Sequence, residues 1–411
     1  MAALDGVKVL DLTQYEAGTT CTQYLAWFGA EVVKLERPGT GDPGRATEGY
    51  GVDSLYFLSF NHNKKSVAID LTAPEGRELF LRLVPRFDIV VENFTLGTME
   101  GLGLGYEVLR ERNPALIYAT IKGFGTYGPY AHFKCFDWVA QAAGGAFSIT
   151  GEPDGPPMRP GATVADTGTG MHAAMGILAA YIQRLRTGKG QKVEVSMQET
   201  VANYMRMPMS TRERYDGPVP RRGNSLGGPS DLYPCAPGGP NDWVFIMIVT
   251  DRMWDALTVA LERPELGTDP RFATARDRAR NRDALYEEIA AWTRQRTKWE
   301  AMEHLASHGV PCSAVYDTED LLRDKHLRAR GMIRTIEHPV RGRVEMLAPP
   351  IHLSDSEVEM VRAPLLGEHT AEVLQRELGM TAAELQDLAA RGILQVTPPH
   401  GVSSADVSSK A

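Results

Sequence analysis

The chain has 411 residues, of which 43% are hydrophobic and 23% charged, with a formal net charge of −8. That length accommodates two domains, or one large α/β domain with an insertion, around sizeable cores. The acidic balance and the lack of any Lys/Arg run exclude a duplex-binding surface, which needs a concentrated basic patch; single basic residues beside turns, as in "KLERPG" and "NKKS", suit a small phosphorylated ligand better.

The amino-terminal "MAALDGVKVLDL" lacks the basic start and apolar stretch of a signal peptide, and no apolar run approaches the ~18 residues that cross a bilayer. Residues 7–12 read as a strand, and "GTTCTQYLAWFG" carries apolar residues at helical spacing up to Gly29. Strands follow at 31–36 and 65–70. The helix "PEGRELFLRLVPR" then has Pro74 in its first turn and Glu75 at its positive end. Residues 88–94 and 116–124 are further strands, a long helix starts near 168, and 192–197 is a strand. Strands regularly separated by helices predict an α/β, doubly wound, Rossmann-like large domain over residues 1–200. Ligands in such a sheet sit at the carboxyl ends of the strands, here Asp11–Gly18, Glu36–Gly39, Asn93–Gly97 and Lys122–Gly128. The Pro/Gly/Arg-rich stretch 201–222 reads as a linker. Residues 223–330 read as a smaller α+β domain, with a strand at 243–249 and mostly helix after it. A return linker, 331–365, leads to two short helices over about 366–393 that complete the large domain, and 394–411 read as a disordered tail. Cys21, Cys135, Cys235 and Cys312 are scattered without a Cys-x-x-Cys. Neither disulfides nor a metal site are therefore expected, and the reading is of a reduced, cytoplasmic protein.

A dinucleotide-binding sheet would carry G-x-G-x-x-G after its first strand; "DLTQYEAGTTCTQ" offers only Gly18, and Glu36 alone is a weak ribose-binding acid. No G-x-x-x-x-G-K-[ST] occurs. Residues 164–172, "VADTGTGMH", contain Asp166-Thr167-Gly168, the triplet of an aspartic protease. That chemistry needs two such triplets sharing a proton, and this long α/β chain has one. On local spacing Asp166 or Thr169 is a helix N-cap, worth ~1 kcal/mol, and His172 is a packed or capping histidine rather than a base.

Taken in order, the segments "VKVLDLTQYEAGTTCTQYLAWFGAEVVKLERPGTGD", "VENFTLGTMEGLGLGYEVL", "TIKGFGTYGPY", "ADTGTGMHAAMGILAAYIQRLRTGKGQKVEVSM" and "PLLGEHTAEVL" resemble a family III CoA-transferase over the whole chain to about residue 393. The formyl-CoA:oxalate branch is the nearest, through "AQAAGGAFSITGEPDGPP". The resemblance implies interlocked rings formed by two chains, identical or paralogous, each ring made of the two domains and two linkers. It implies acyl-CoA and a small carboxylic acid as substrates, with no permanently bound cofactor. It implies Asp166 as the nucleophile, passing through a mixed anhydride and an aspartyl-CoA thioester. An exposed aspartate is already ionised at neutral pH and needs no general base. It needs oxyanion donors and exclusion of water. Gly168 and Gly170 beside it suit close approach to the reacting carbonyl, and Gly227 and Gly228 match the family's mobile glycine loop. Carried over residue by residue, Glu16 and Ala17 belong to the CoA-binding set, with Glu16 also at the reacting end. Arg37 faces the phosphates and adenine. Ile69, Asp70, Leu71 and Thr72, with Asn93, Phe94 and Thr95, hold the nucleotide end largely through backbone. Lys134, Phe136 and Asp137 line the channel near the thioester, with Met197 nearby.

Three positions depart from the oxalate branch. Glu16 replaces a glutamine, and an acid there repels a dianionic acceptor unless it is paired or protonated. The loop "NSLGGPSDLYPC" is shorter and poorer in glycine, and Gly101 takes the place of a second nucleotide-side basic residue. A substituted succinate with succinyl-CoA as donor therefore fits as well as oxalate with formyl-CoA. Two alternatives stand beside transfer. A 2-methylacyl-CoA racemase or epimerase needs acid/base groups on both faces of the α-carbon, and its histidine aligns near Lys134, where this chain has none. A catalytically silent acyl-CoA-binding subunit is opposed by the presence of Asp166.

Overall fold

The structure, a computed structural model, describes residues 1–49 and 53–397; most of the expected tail, 398–411, lies outside the described residues. The chain divides into two units. One comprises residues 1–147, 159–219 and the chain from 331 on, the other residues 148–158 and 220–330.

In the first unit strands and helices alternate along the chain as β1 (Lys8–Asp11), α1 (Ala17–Trp27), β2 (Glu31–Glu36), α2 (Leu55–Asn61), β3 (Lys64–Ile69), α3 (Pro74–Leu83), β4 (Ile89–Glu92), α4 (Thr98–Gly101), α5 (Tyr106–Arg112), β5 (Ile117–Lys122), α6 (Asp137–Ala143), α7 (Val164–Thr187), β6 (Lys192–Ser196) and α8 (Met197–Tyr204). The six strands run parallel in the order β3-β2-β1-β4-β5-β6. Strands β1 to β5 are buried on both faces, which is why they read as nearly continuous apolar stretches, while the edge strand β6 is only partly buried. Val9, Ile89, Val91 and Ile117 pack with α1 and α7 on one face. Leu10, Val33, Val67 and Val90 point the other way, onto α3, following the period of two. Full burial of each such side chain contributes roughly 1.5–3 kcal/mol.

The chain builds outward from β1 through β2 to β3 and then returns to the other side of β1 as β4. The connections after β1 and β4 therefore part to opposite sides, and a crevice opens beyond their carboxyl ends. It is this reversal that positions the site.

Four boundaries differ from those read in the sequence. Helix α7 starts at Val164 rather than near 168, because its cap comes from a distant carboxylate, described below. Leu394–Gln395, expected within the tail, pair antiparallel with Ile69 and Ala68 and cover the β3 edge, where unpaired backbone groups would otherwise stand open. Residues 148–158 group with the second unit: Gly151 O accepts from Gly223 N–H at 3.0 Å, and Arg221 donates to the carbonyls of Glu152 and Gly155. The stretch 201–222 contains the end of α8 and a helix over Arg206–Thr211, with Pro208 tolerated in its first turn.

The second unit holds a three-stranded antiparallel sheet in the order β7 (Asp231–Pro234), β8 (Trp243–Ile246), β9 (Cys312–Ala314). Tyr233, Trp254, Phe272 and Ile289 fill its core. The expected return linker forms a hairpin, β10 (Ile333–His338) with β11 (Gly342–Leu347), and belongs to the first unit.

Candidate active site

The turn after β1 is held by buried ions. Asp11 Oδ1 accepts from the Thr13 amide at 2.8 Å and hydroxyl at 2.5 Å, and Oδ2 from Thr22 Oγ1 at 2.7 Å and Lys64 Nζ at 3.0 Å. Lys34, fully buried in β2, pairs with Asp42 at 2.8 Å and donates to Thr13 O at 2.6 Å. Asp42 in turn accepts the Tyr15 amide at 3.1 Å, with Tyr15 at φ 59°. From the β4 side Asn93 clasps Gln14 twice, each bond 2.8 Å, through its amide and its carbonyl. Buried charges are tolerated only when fully paired, so this set admits one conformation and presents Glu16 at the head of α1.

Glu36 closes the dinucleotide reading. Its two oxygens take Arg45 at 2.7 Å each, and Oε1 also accepts from Ser66. Burial opposes ionisation here, but the Arg45 guanidinium dominates and holds the carboxyl down at about 2. It is a structural ion pair, not a free ribose-binding acid.

Asp166 lies in the first turn of α7, half-buried. It does not cap the helix; Asp137 does, its Oδ1 accepting the amides of Ala165 and Asp166 at 2.9 Å each. The Thr169 hydroxyl bonds back to Ala165 O, so neither expected cap serves as one. Glu16, 3% exposed, accepts from the hydroxyls of Thr163 at 2.5 Å and Thr167 at 2.8 Å through Oε1. Burial raises the Glu16 carboxyl, opposed by those two hydroxyls. Burial, then the charges of Glu16 and Asp137, push Asp166 up to about 8. The expectation of an exposed, freely ionised aspartate is thus corrected: three carboxyl groups share a partly dry corner, and among the described residues none of them joins an ion pair within 4.0 Å. His172 Nδ1 sits 2.7 Å from Gly168 O and its ring leans on Tyr204, a packed histidine as expected.

The flanking glycines also have a different purpose from the one read in the sequence. A Cβ on Gly170 would stand 2.5 Å from Ala17 O and 2.7 Å from Thr20 Cβ, and one on Gly168 would stand 2.1 Å from the Tyr204 hydroxyl. Both are buried and let α7 close onto α1 and α8, rather than face a substrate.

A cavity of about 480 Å³ opens at the crevice, lined by Glu16, Ala17, Asn93, Phe94, Thr95, Lys134, Phe136, Asp166 and Met197. A neighbouring cavity of about 200 Å³ is lined by Arg37, Ile69, Asp70, Leu71 and Thr72, and the two share Gln14, Phe94 and Thr98. The residues carried over for the reacting end and the nucleotide end thus fall into two adjoining hollows along the carboxyl edge of one sheet. Asp137 is the exception: 6% exposed, it lies behind the cavity wall with its carboxylate committed to α7. Arg37 and Lys134 are both exposed, and among the described residues neither joins an ion pair within 4.0 Å. Each is available to an anion. A carboxyl group of raised basicity, in a cavity that also holds Lys134 and adjoins the hollow of Arg37, can serve as a nucleophile or as an acid/base group.

A profile of CoA-transferase family III matches residues 4–370. The chain belongs to that family. This family III CoA-transferase is 43% identical over 409 residues to formyl-CoA:oxalate CoA-transferase of Streptomyces avermitilis, spanning 95% of this chain and 99% of the relative. It is 42% identical over 408 residues to the protein of the same name from Streptomyces coelicolor, with 95% and 99% covered. Among solved structures, a CAIB/BAIF family protein from Brucella suis superposes with a TM-score of 0.82 at 34% identity, covering 92% of this chain and 99% of that one.

Several groups of this CoA-transferase that shape the site went unread in its sequence. Tyr56 of α2 feels the charges of both Glu16 and Asp166, after burial the main influences that raise its phenol. Cys135 lines the cavity, with its thiol pushed up to about 11 by burial and by Asp166 and Asp137. Lys122, on β5, is a lining residue bonded to both oxygens of Glu92 and to Phe94 O at 2.6 Å. Tyr15 meets Phe136 edge to face at 6.1 Å. Aromatic residues after strand ends were the available signal for Tyr15; nothing local marked Tyr56. Gly227 and Gly228 lie in the second unit with φ of 93° and 61°, a left-handed pair that only glycine adopts without strain. Among the described residues no helix is long and apolar enough to cross a membrane.

Proposed function

We propose that this enzyme moves CoA from an acyl-CoA donor, of the formyl-CoA or succinyl-CoA type, to a small dicarboxylic acid such as oxalate or a substituted succinate, with Asp166 as the covalent nucleophile. The observation that supports the reading is that Asp166 lines a cavity adjoining the hollow lined by Arg37, the two sharing Gln14, Phe94 and Thr98. The ionised carboxylate attacks the thioester carbonyl, expels CoA thiolate and forms a mixed anhydride. The thiolate then attacks the aspartyl carbonyl, releasing the donor acid and leaving an aspartyl-CoA thioester. The acceptor carboxylate reverses the two steps and departs as its own thioester. Arg37 neutralises the nucleotide phosphates, and the Ile69–Thr72 and Asn93–Thr95 backbones line the nucleotide path. Glu16 stands beside the acceptor with its Oε1 occupied by the Thr163 and Thr167 hydroxyls. An interlocked dimer, with Gly227 and Gly228 as its mobile glycine loop, keeps water from both intermediates. The two curated relatives named for formyl-CoA:oxalate transfer support the dicarboxylate class.

Mass spectrometry after incubation with succinyl-CoA or formyl-CoA and hydroxylamine tests this. Asp166 is expected to carry the hydroxamate, and Asp166→Ala to lose at least ~1,000-fold in rate, the scale of removing a nucleophile. An unmodified Asp166 during turnover would sink the reading. His132 lines the same cavity, so deuterium uptake at the α-carbon without an acceptor acid is the companion measurement, and its appearance would favour racemisation.

A further inference from the structure

One carboxylate oxygen holds the turn that carries Asp166. Oδ1 of Asp137 accepts two consecutive amides of α7, both at 2.9 Å. The N-cap residue itself, Thr163, gives the helix no side-chain bond; its hydroxyl goes to Glu16. The other Asp137 oxygen accepts from the Gln141 side-chain nitrogen, which also donates to Ala162 O at 3.0 Å. Helix α6 thus grips the chain on both sides of the α7 start. Asp137 and Gln141 are 6% and 0% exposed.

We propose that Asp137 is a positioning residue for the transfer reaction: its buried oxygen, bound to two consecutive amides, fixes the main chain of Asp166 and takes the positive end of α7 for itself. This rests on the reading of Asp166 as the reacting group. A carboxylate at a helix start is ordinarily stabilised by free amides and the helix dipole. Here those amides are already bound. The titratable groups acting on Asp166 are Glu16 at the head of α1 and Asp137 at the head of α6, with the Tyr56 phenol of α2 and the Cys135 thiol beside them; His132 and Lys134 line the same cavity, but among the described residues no Lys, Arg or His pairs with Asp166 within 4.0 Å. Asp166 therefore keeps its proton to higher pH, and the carboxylate it yields is more basic, hence a better nucleophile, than an ordinary aspartate. The same two amide bonds leave the Asp166 backbone one position, where a displacement of ~1 Å can cost about 100-fold in rate.

Two substitutions separate the effects. Asp137→Asn keeps an oxygen that can accept both amides and removes the charge. The pH midpoint of its transfer rate is expected about one pH unit below that of the parent. Asp137→Ala removes the grip and is expected to lower kcat about 10- to 100-fold across the pH range, with less change in KM for acyl-CoA. A readout independent of activity accompanies them: the melting-temperature difference between Asp166→Asn and its parent, followed from about pH 4 to about pH 9. With Asp137→Asn added to both proteins, the rise in that difference is expected to move to lower pH. Midpoints unmoved in both experiments overturn the electrostatic part. Parental kcat and KM in Asp137→Ala overturn the positioning part, and Asp137→Asn decides alone if the alanine variant does not fold. Should Asp166→Ala remain active, the reading of Asp166 fails, while the melting comparison still decides the role of Asp137.

Discussion

Asp166 binds its proton more tightly in the folded chain, at about 8, than the 3.8 of an unperturbed aspartate. Two consequences follow from the sign. The transfer reaction needs the ionised form, so its rate is expected to climb from pH 6 and level off above about 8; a flat profile over that range would contradict it. For stability, a carboxyl with a raised folded value favours folding fully below its unfolded value of 3.8, and that contribution is lost as pH rises toward about 8. Asp166→Asn removes the group. Its melting temperature is expected to match the parent near the acid end and to exceed it by several degrees at alkaline pH, as read by differential scanning fluorimetry. At this scale residue type and place were legible in the sequence, but environment was not. The hydroxyls on Glu16 come from residues 147 and 151 positions away, and the charge opposing Asp166 comes partly from Asp137, 29 positions back.

Helix α7 meets α1 through its glycine-bearing first turns. A Cβ on Gly170 would meet a main-chain oxygen at 2.5 Å, whereas one on Gly168 would meet the far end of the Tyr204 side chain. Backbone cannot move aside as a side chain can. Gly170→Ala is therefore expected to cost about 1–3 kcal/mol by overpacking and Gly168→Ala less, an order that thermal or urea denaturation monitored by circular dichroism will check. The six strands were legible because their apolar runs are long, β-branched and separated by helices. The start of α7 was not, since a capping acid at 137 leaves no trace in the spacing around 164. The same distance explains the misread glycines: what they touch is on α1 and α8.

The first unit leaves Met175, Ile182 and Leu185 at 57%, 51% and 70% exposure. At spacings of seven and three, these residues share one face of α7, and large contiguous apolar surface is uncommon on a monomer. The proposed dimer covers such surface. Light scattering during gel filtration is expected to give twice the 45.1 kDa of one chain. A stable monomer of the purified chain, dimerising only when a paralogue is added, would select the heteromeric form; a monomer that turns over alone would overturn the interlocked assembly.

By itself the sequence determined the alternation of strands and helices, the four loops at their carboxyl ends and the family to which the chain belongs. Each of these is written in patterns of neighbouring residues, where burial on two faces and turn chemistry act locally. Only the tertiary structure decided that β1 and β4 stand side by side with the crevice between them. It alone showed that Lys34, Asp42 and Asn93 lock the turn before Glu16, and that Asp137 rather than Asp166 caps α7. Ionisation and hydrogen bonding depend on distances of a few ångströms between groups far apart in the chain. For that reason the chemistry of Asp166 is set by the residues packed around it, while its position is set by the helix it begins.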